Sequence, residues 1–374
     1  MGGELIMRRQ PVAILGGGNA AHALAADLSN RGFKVNLYEM PRFKHQMKKV
    51  FETKTIQSVG VIEGTFELNM VTDIIEDAIK DVKYIFIITP AFAHKDYGEL
   101  LKGKAHSDQV IISIPGSFAA LQYKKIFGDD DCPTFVDANN LMYDTRIISD
   151  GIVNILELDT VDIGFLPSDK ESLYLEEIKE MIDIKAVFPD VLSCGLALVN
   201  PALHSGPCIL NAGSIESPHV NFFLYQDGIQ PSSMKLDKQL DRERQEICKA
   251  FGYEGINPFK CFPLIERLDK EGKDYRWEDL YRDVHGDIGL TPICGPNDIK
   301  SRYLTEDAPC GLVPWSLIAK IVGVKTVAID AIIDIYSIIH ETDWRQAGFT
   351  LSELGLDDMN KDEILAYCKT GKKQ

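Results

Sequence analysis

The sequence predicts a doubly wound, mainly parallel α/β domain followed by an all-helical domain. Three observations predict it. A strand, a glycine turn, a helix and a second strand fill residues 11–39; apolar runs and helical stretches then alternate to about residue 188; beyond that point helical patterns dominate. The boundary falls near Phe188-Pro189-Asp190, giving units 1–188 and 189–374. A chain of 374 residues, 45% apolar and 26% charged, is long and apolar enough for two cores.

The first unit opens with the apolar run Val12–Leu15 and the turn Gly16-Gly17-Gly18-Asn19-Ala20-Ala21. A small-residue amphipathic stretch follows, then a second apolar run that ends in Glu39. This is the dinucleotide-binding fingerprint in its GxGxxA form. Gly16 allows the tight turn, Gly18 lets the backbone approach a pyrophosphate, and Ala21 lets the helix pack closely on the strand. The N–H groups of the helix start, around Asn19 and Ala20, receive the phosphate charge. Glu39 sits where a carboxylate accepts hydrogen bonds from the ribose hydroxyls. A carboxylate there repels a 2′-phosphate, which favours NAD, while Arg42 three residues on keeps NADP possible.

Further elements follow in order. Ile75–Ala78 reads as helix. Tyr84–Thr89 is a continuous apolar run and a buried parallel strand. It closes at Thr89-Pro90-Ala91, where a cofactor is contacted at the carboxyl edge, with His94 just after. Val110–Ile114, Thr134–Val136, Ile152–Leu156 and Asp162–Leu166 are further strand candidates, and Lys170–Ile182 is a helix.

In the second unit, loops are expected at Gln226–Ser233 and Asp269–Tyr275. The most hydrophobic long segment, Ile318–Ile339, is interrupted by Lys320, Lys325, Asp330 and Asp334. It reads as a buried helix and not as a membrane span. Two segments look chemical. In Leu198–Glu216, Asn200 and His204 lie four residues apart on one side of a helix that breaks at Ser205-Gly206-Pro207. A histidine there is a candidate proton donor and acceptor, although a hydrogen-bonded core histidine fits the pattern equally well. In Ser301–Trp315, Arg302 offers a planar fork for a substrate carboxylate. Asp307, five residues on, is a candidate for holding a histidine in one tautomer.

A net charge of −16 excludes nucleic acid and an anionic membrane as natural partners. The eight cysteines form no CxxC pair and have no zinc spacing, so reduced thiols and no metal site are expected. The start, MGGELIMRRQP, has no apolar signal core, which with the thiols points to a cytoplasmic protein.

Taken together, GGGNAA with Glu39, TPAFAH at 89–94, NPALH through LNAGSIE at 200–216, and RYLTEDAPCGLVP at 302–314 resemble the opine dehydrogenase family of the octopine and nopaline dehydrogenase type. The resemblance covers nearly the whole chain in order. It implies a nicotinamide-binding Rossmann domain before an all-helical domain. It further implies joining of an amino acid's amine to a 2-oxo acid, with NAD(P)H reducing the imine to a secondary amine. By matching position it makes His204 the acid/base, Asp307 its carboxylate partner, Arg302 a substrate-carboxylate anchor and Asn200 a helper near the nicotinamide or substrate. Two departures stand out. Ser205-Gly206 intervene before Pro207, where family members often have prolines directly after the histidine, and Val136–Tyr143 is unusually polar. Both bear on substrate identity. Three alternatives are a two-domain dehydrogenase acting on a simple 2-oxo or 3-hydroxy acid, a non-catalytic NAD-binding protein, and a metallophore-type synthase using a larger amine. The oligomeric state is not legible.

Overall fold

In a computed structural model describing residues 11–257, 267–268, 270–274, 276–285 and 294–373, the chain forms two units. One runs to Val191 and includes Cys368–Lys372; the other spans Leu192–Tyr367. The strands of the first are β1 Val12–Leu15, β2 Val35–Tyr38, β3 Thr55–Gly60, β4 Gly64–Glu67, β5 Met70–Thr72, β6 Tyr84–Ile87, β7 Val110–Ser113, β8 Thr134–Ala138, β9 Tyr143–Ser149, β10 Ile152–Leu158, β11 Val161–Leu166 and β12 Ile184–Val187. Eight of them make one sheet in the order β12-β11-β8-β7-β6-β1-β2-β5. Only the β8–β11 pairing is antiparallel. The central strands β1, β6 and β7 are buried throughout, which explains their unbroken apolar runs.

From β1 the chain crosses to β2 on one side and later to β6 on the other. The carboxyl ends of these strands therefore form a topological switch point, and the glycine turn lies there. Gly16 donates its N–H to Tyr38 O at 2.9 Å. Its φ is +121°, and a Cβ would stand 2.5 Å from Ile88 O.

The other four strands form a second sheet, β4-β3-β10-β9. Sequence reasoning marks Ile152–Leu156 as a strand but misses this separate sheet. The signal lies in helix Asn19–Asn30, where eight consecutive residues, Ala21 to Leu28, are buried. A helix buried all round must be covered on more than one side. Its alanines allow close approach of β1 and β2 and also of β3, β9 and β10. The one carboxylate in that run, Asp27, is matched by Arg31 at 2.9 Å and by the Tyr143 hydroxyl at 2.7 Å.

Asp137 and Asn139 of the polar stretch Val136–Tyr143 are satisfied internally. Asp137 accepts the Ala120 N–H at 3.1 Å, and burial pushes its carboxyl up to about 7. The Asn139 side chain exchanges hydrogen bonds with Asp162. This departure thus reflects the interior of the first unit.

The second unit is helical, with helices Val191–Leu196, Asn200–Leu210, Ala212–Glu216, Pro231–Phe251, Trp277–Asp283, Arg302–Thr305, Val313–Ile321 and Val327–Ile339 among its described residues. Its described β pairing is one isolated bridge, Phe223 with Gly295. Several expectations change. The segment Ile318–Ile339 is two helices, divided at Gly323 with φ +70°. The second is amphipathic, since Val327 and Ile338 are largely exposed. The expected loop Gln226–Ser233 contains the end of a π turn, Leu224–Gly228, and the start of the helix at Pro231. Asp269 and Tyr275 lie outside the described residues.

The helix carrying Asn200 and His204 continues through Pro207 to Leu210. Proline has no N–H and clashes with the preceding turn, so the ladder must open here. The Gly206 N–H turns outward to Asp237 Oδ1 at 3.1 Å. A Cβ on Gly206 would stand 2.3 Å from that oxygen. Asp237 is fully buried, burial holds its carboxyl well above the usual range, and its other oxygen has no hydrogen-bond partner. Ser205 is also fully buried and donates to Pro201 O at 2.6 Å. The insertion before Pro207 is therefore a packing device.

Gly206→Ala should destabilise the fold by about 1–3 kcal/mol, because the added methyl displaces a buried carboxyl. Gly213→Ala, where a Cβ meets nothing within 4 Å, should be neutral or stabilising. Chemical denaturation of both variants checks this; equal stability of the two would exclude the Gly206–Asp237 contact.

Candidate active site

Two clusters carry the predicted site residues. In the first unit, Gly16, Gly17, Glu39 and Thr89 gather around the glycine turn. Gly18 has an ordinary φ of −78°, is exposed, and a Cβ there would meet nothing within 4 Å. Nothing inside the chain requires glycine at this position, so it leaves open the surface above the helix start. Ala21 is fully buried beneath that start, and Ala20 is half-buried. Asn19 sits at the first helical position, where its Oδ1 accepts the Ile147 N–H at 2.7 Å and ties the helix to β9.

Glu39 is buried immediately after β2. Its carboxylate accepts the N–H of Met40 at 2.7 Å and the N–H of Gly17. Burial raises its pKa despite these donors. Arg42 pairs with Asp96 at 3.0 Å, and both side chains are more than half exposed. The Thr89 hydroxyl is buried without a hydrogen-bond partner, while its methyl lies 3.1 Å from the position of a Gly16 Cβ. Pro90 is half-buried before the short turn Ala91–Ala93. His94 is completely buried, and burial pushes its pKa down to about 4. Open space over Gly18, a carboxylate at the end of β2 and an orphaned hydroxyl on Thr89 fit a dinucleotide.

In the second unit, His204 and Asp307 meet. His204 Nδ1 lies 2.9 Å from Asp307 Oδ2, across 103 positions of sequence. His204 is 5% exposed and Asp307 8%. On the other side of the ring, Nε2 lies 3.2 Å from the Tyr225 hydroxyl. The ring of Tyr303 packs against the imidazole at 4.7 Å between centroids. Both hydrogen-bond partners stand at π turns: Asp307 immediately precedes Ala308–Leu312, and Tyr225 lies within Leu224–Gly228. Such turns are rare and recur at functional sites. A carboxylate only accepts hydrogen bonds, so the contact with Asp307 requires the ring hydrogen on Nδ1.

Arg302 and Asn200 are not drawn into this pair. Arg302 opens helix Arg302–Thr305, with its side chain 60% exposed and Nη1 3.6 Å from Glu306 Oε2. Asn200 is exposed one turn before His204. Sequence reasoning missed Tyr303, although it lies inside the RYLTED element. It also missed Tyr225, whose position 21 residues after His204 follows no helical or strand period. Among the described residues, no group of three or more His, Cys, Asp or Glu is placed to hold a metal ion. None of their helices is long and apolar enough to cross a membrane.

Residues 187–340 match the model of the NAD/NADP octopine/nopaline dehydrogenase α-helical domain, and residues 11–122 match the NAD-dependent glycerol-3-phosphate dehydrogenase N-terminus. The chain is 31% identical to an opine dehydrogenase of Arthrobacter sp. (strain 1C), over 93% of this chain and 95% of that protein. It is 26% identical to a vitopine synthase of Allorhizobium ampelinum, over 95% and 98% respectively. An octopine dehydrogenase solved with NADH and pyruvate shares the fold at a TM-score of 0.75 and 19% identity, covering 98% of this chain and 99% of that one. A yersinopine dehydrogenase with NADP+ bound does so at 0.71 and 16%, covering 97% and 99%. The chain belongs to the opine dehydrogenase family of NAD(P)-dependent oxidoreductases.

Proposed function

We propose that His204, held by Asp307, is the acid/base of this enzyme, and that the glycine turn with Glu39 and Thr89 holds its cofactor. The reaction is the reductive condensation of an amino acid with a 2-oxo acid. The observation that carries the assignment of roles is the buried 2.9 Å contact between His204 and Asp307. A buried imidazole with a carboxylate on one nitrogen is built to take up and release a proton at the other.

When bound, the nicotinamide supplies the hydride; the protein supplies position and protons. The helix start at Gly18–Ala20 would hold the pyrophosphate, and Glu39 would accept hydrogen bonds from the ribose. Imine formation releases water, and each step moves a proton at the reacting nitrogen or oxygen. His204 takes and returns that proton while Asp307 balances the imidazolium charge. Arg302, weakly held by Glu306 at 3.6 Å, offers its fork to a substrate carboxylate. Screening amino acids against pyruvate and against 2-oxoglutarate, with NADH oxidation as readout, tests the whole reading. An oxo acid reduced equally fast with no amine present would favour a simple keto-acid reductase.

Four outcomes are expected. NADH should be used more efficiently than NADPH, because a carboxylate at Glu39 would repel a 2′-phosphate and Arg42 is engaged by Asp96. Gly18→Val should fold normally, since a Cβ there touches nothing, yet lose NADH binding by fluorescence titration.

Removing His204 or Asp307 should lower turnover by about 10²–10⁴-fold. The double variant should be little worse than His204→Ala alone, because residues acting as one unit are not additive. Multiplying losses, measured by steady-state kinetics, would show that the two work separately. NADH binding should survive in all three.

Arg302→Ala should raise the KM for one acid substrate by about 10- to 100-fold, as expected for loss of a charge-assisted pair. Unchanged KM values would leave Arg302 as a surface residue paired with Glu306.

A further inference from the structure

The imidazole of His204 has no vacant in-plane hydrogen-bonding position. Each ring nitrogen offers one such direction. Nδ1 is taken by Asp307 at 2.9 Å and Nε2 by the Tyr225 hydroxyl at 3.2 Å. The ring itself is buried, with Tyr303 packed at 4.7 Å and Tyr225 set edge-on at 79°. A proton leaving Nε2 along its hydrogen bond therefore arrives at the Tyr225 oxygen.

We propose that Tyr225 is a proton relay between His204 and the substrate, completing an Asp307–His204–Tyr225 line. The proposal rests on the reading of His204 as acid/base. In the reducing direction His204 begins as the imidazolium. The Nε2–H bond breaks and its proton passes to Tyr225 Oη, as the Tyr225 O–H bond breaks and that proton forms a bond to the substrate heteroatom. The hydride from the reduced cofactor supplies the electron pair to carbon. Tyrosine begins and ends as a neutral phenol, so no tyrosinate forms, and His204 ends neutral. A hydroxyl suits this place because it donates to the neutral imidazole and accepts from the protonated one.

The backbone holds Tyr225 where it stands. Its π turn is pinned by Leu224 N–H to Gly295 O at 3.1 Å, Gly295 N–H to Phe222 O at 2.7 Å, and Ile229 N–H to Leu224 O at 2.9 Å. Asp227 Oδ2 accepts the Phe223 N–H at 3.0 Å, and Gly228 O accepts the Ser233 hydroxyl at 2.7 Å.

The test compares the parent enzyme with Tyr225→Phe and His204→Asn. Each is assayed with NADH and the fastest amino acid–oxo acid pair from the screen, over a range of pH and of D2O fractions. Thermal melting confirms that each variant is folded. Tyr225→Phe should lower kcat by about 10- to 100-fold, toward the low end of general acid–base effects, with the KM for NADH unchanged. The dependence of its rate on D2O fraction should become linear where that of the parent is curved, because one of two moving protons is gone. The Nε2 15N resonance of His204 should also shift. A kcat within twofold of the parent overturns the relay. So does a lower kcat with unaltered curvature, which reduces Tyr225 to a residue that holds the ring. Parent-like turnover in His204→Asn would instead remove the acid/base assignment on which the relay stands.

Discussion

The second unit is organised around bringing a buried histidine against a carboxylate 103 residues away. The pair forms only if helix Asn200–Leu210 and the turn Ala308–Leu312 come unusually close, and their side chains are shaped for that. A Cβ on Gly311 would stand 2.3 Å from Pro201 Cγ, so the turn rests directly on the first turn of the histidine helix. Tyr336 reaches the same helix through its hydroxyl, which donates to Ser205 O at 3.2 Å. Trp315, fully buried, donates its indole N–H to Gly195 O at 2.9 Å and ties the following helix to the segment before His204. These contacts fix both backbones. The 2.9 Å hydrogen bond is then a consequence of packing, and neither side chain is left to find its partner alone.

Such packing requires buried polar groups to be satisfied at the places where helices are interrupted. Proline at 207 removes one rung, and Asp237 takes the N–H that the interruption sets free. Glu243 does similar work elsewhere: its carboxylate accepts the N–H groups of Ala328 at 2.9 Å and Ile329 at 3.0 Å, at the start of helix Val327–Ile339. A carboxylate at a helix start meets unpaired donors and the positive end of the dipole together. Arg244 and Asp241, both fully buried, pair at 2.7 Å within helix Pro231–Phe251, and the guanidinium also reaches Leu196 O at 3.1 Å. Long helix Pro231–Phe251 thus carries two acidic side chains, Asp237 and Glu243, and one guanidinium, Arg244, that lock neighbouring elements, a role invisible in its charged composition.

What was legible in the sequence follows from which forces are local. The run Val12–Leu15, the glycine turn and Glu39 are contiguous, and their spacing alone locates the switch point of the sheet. The second sheet was not legible, because β3 and β4 have mixed burial and lack the apolar run that marks β1 or β6. The break at Gly323 was hidden by apolar residues on both sides of it. Pro207 suggested a helix end, and only Asp237, thirty positions on, allows the helix to continue. His204 and Asp307 were recognisable through the motifs around them, since their separation carries no period. Tyr225 had neither motif nor period, and its place beside Nε2 exists only in three dimensions.

The division between buried and exposed site residues has a chemical meaning. Proton transfer of the kind proposed for His204 needs fixed distances and exclusion of competing water, and His204 and Asp307 are buried with their partners built in. Recognition of substrates needs groups that water has already solvated and that a ligand can recruit. Arg302 and Asn200, proposed to meet the substrate, have the exposure this requires. Both are exposed, and each lies on the same short helix or helical turn that positions a buried member of the site: Arg302 beside Tyr303, and Asn200 one turn from His204. Changing the exposed residue leaves the buried one anchored by other contacts. A scaffold arranged in this way holds one proton-transfer chemistry constant while the residues that meet the amine and the oxo acid vary, which is how a family can share a reaction and differ in its substrates.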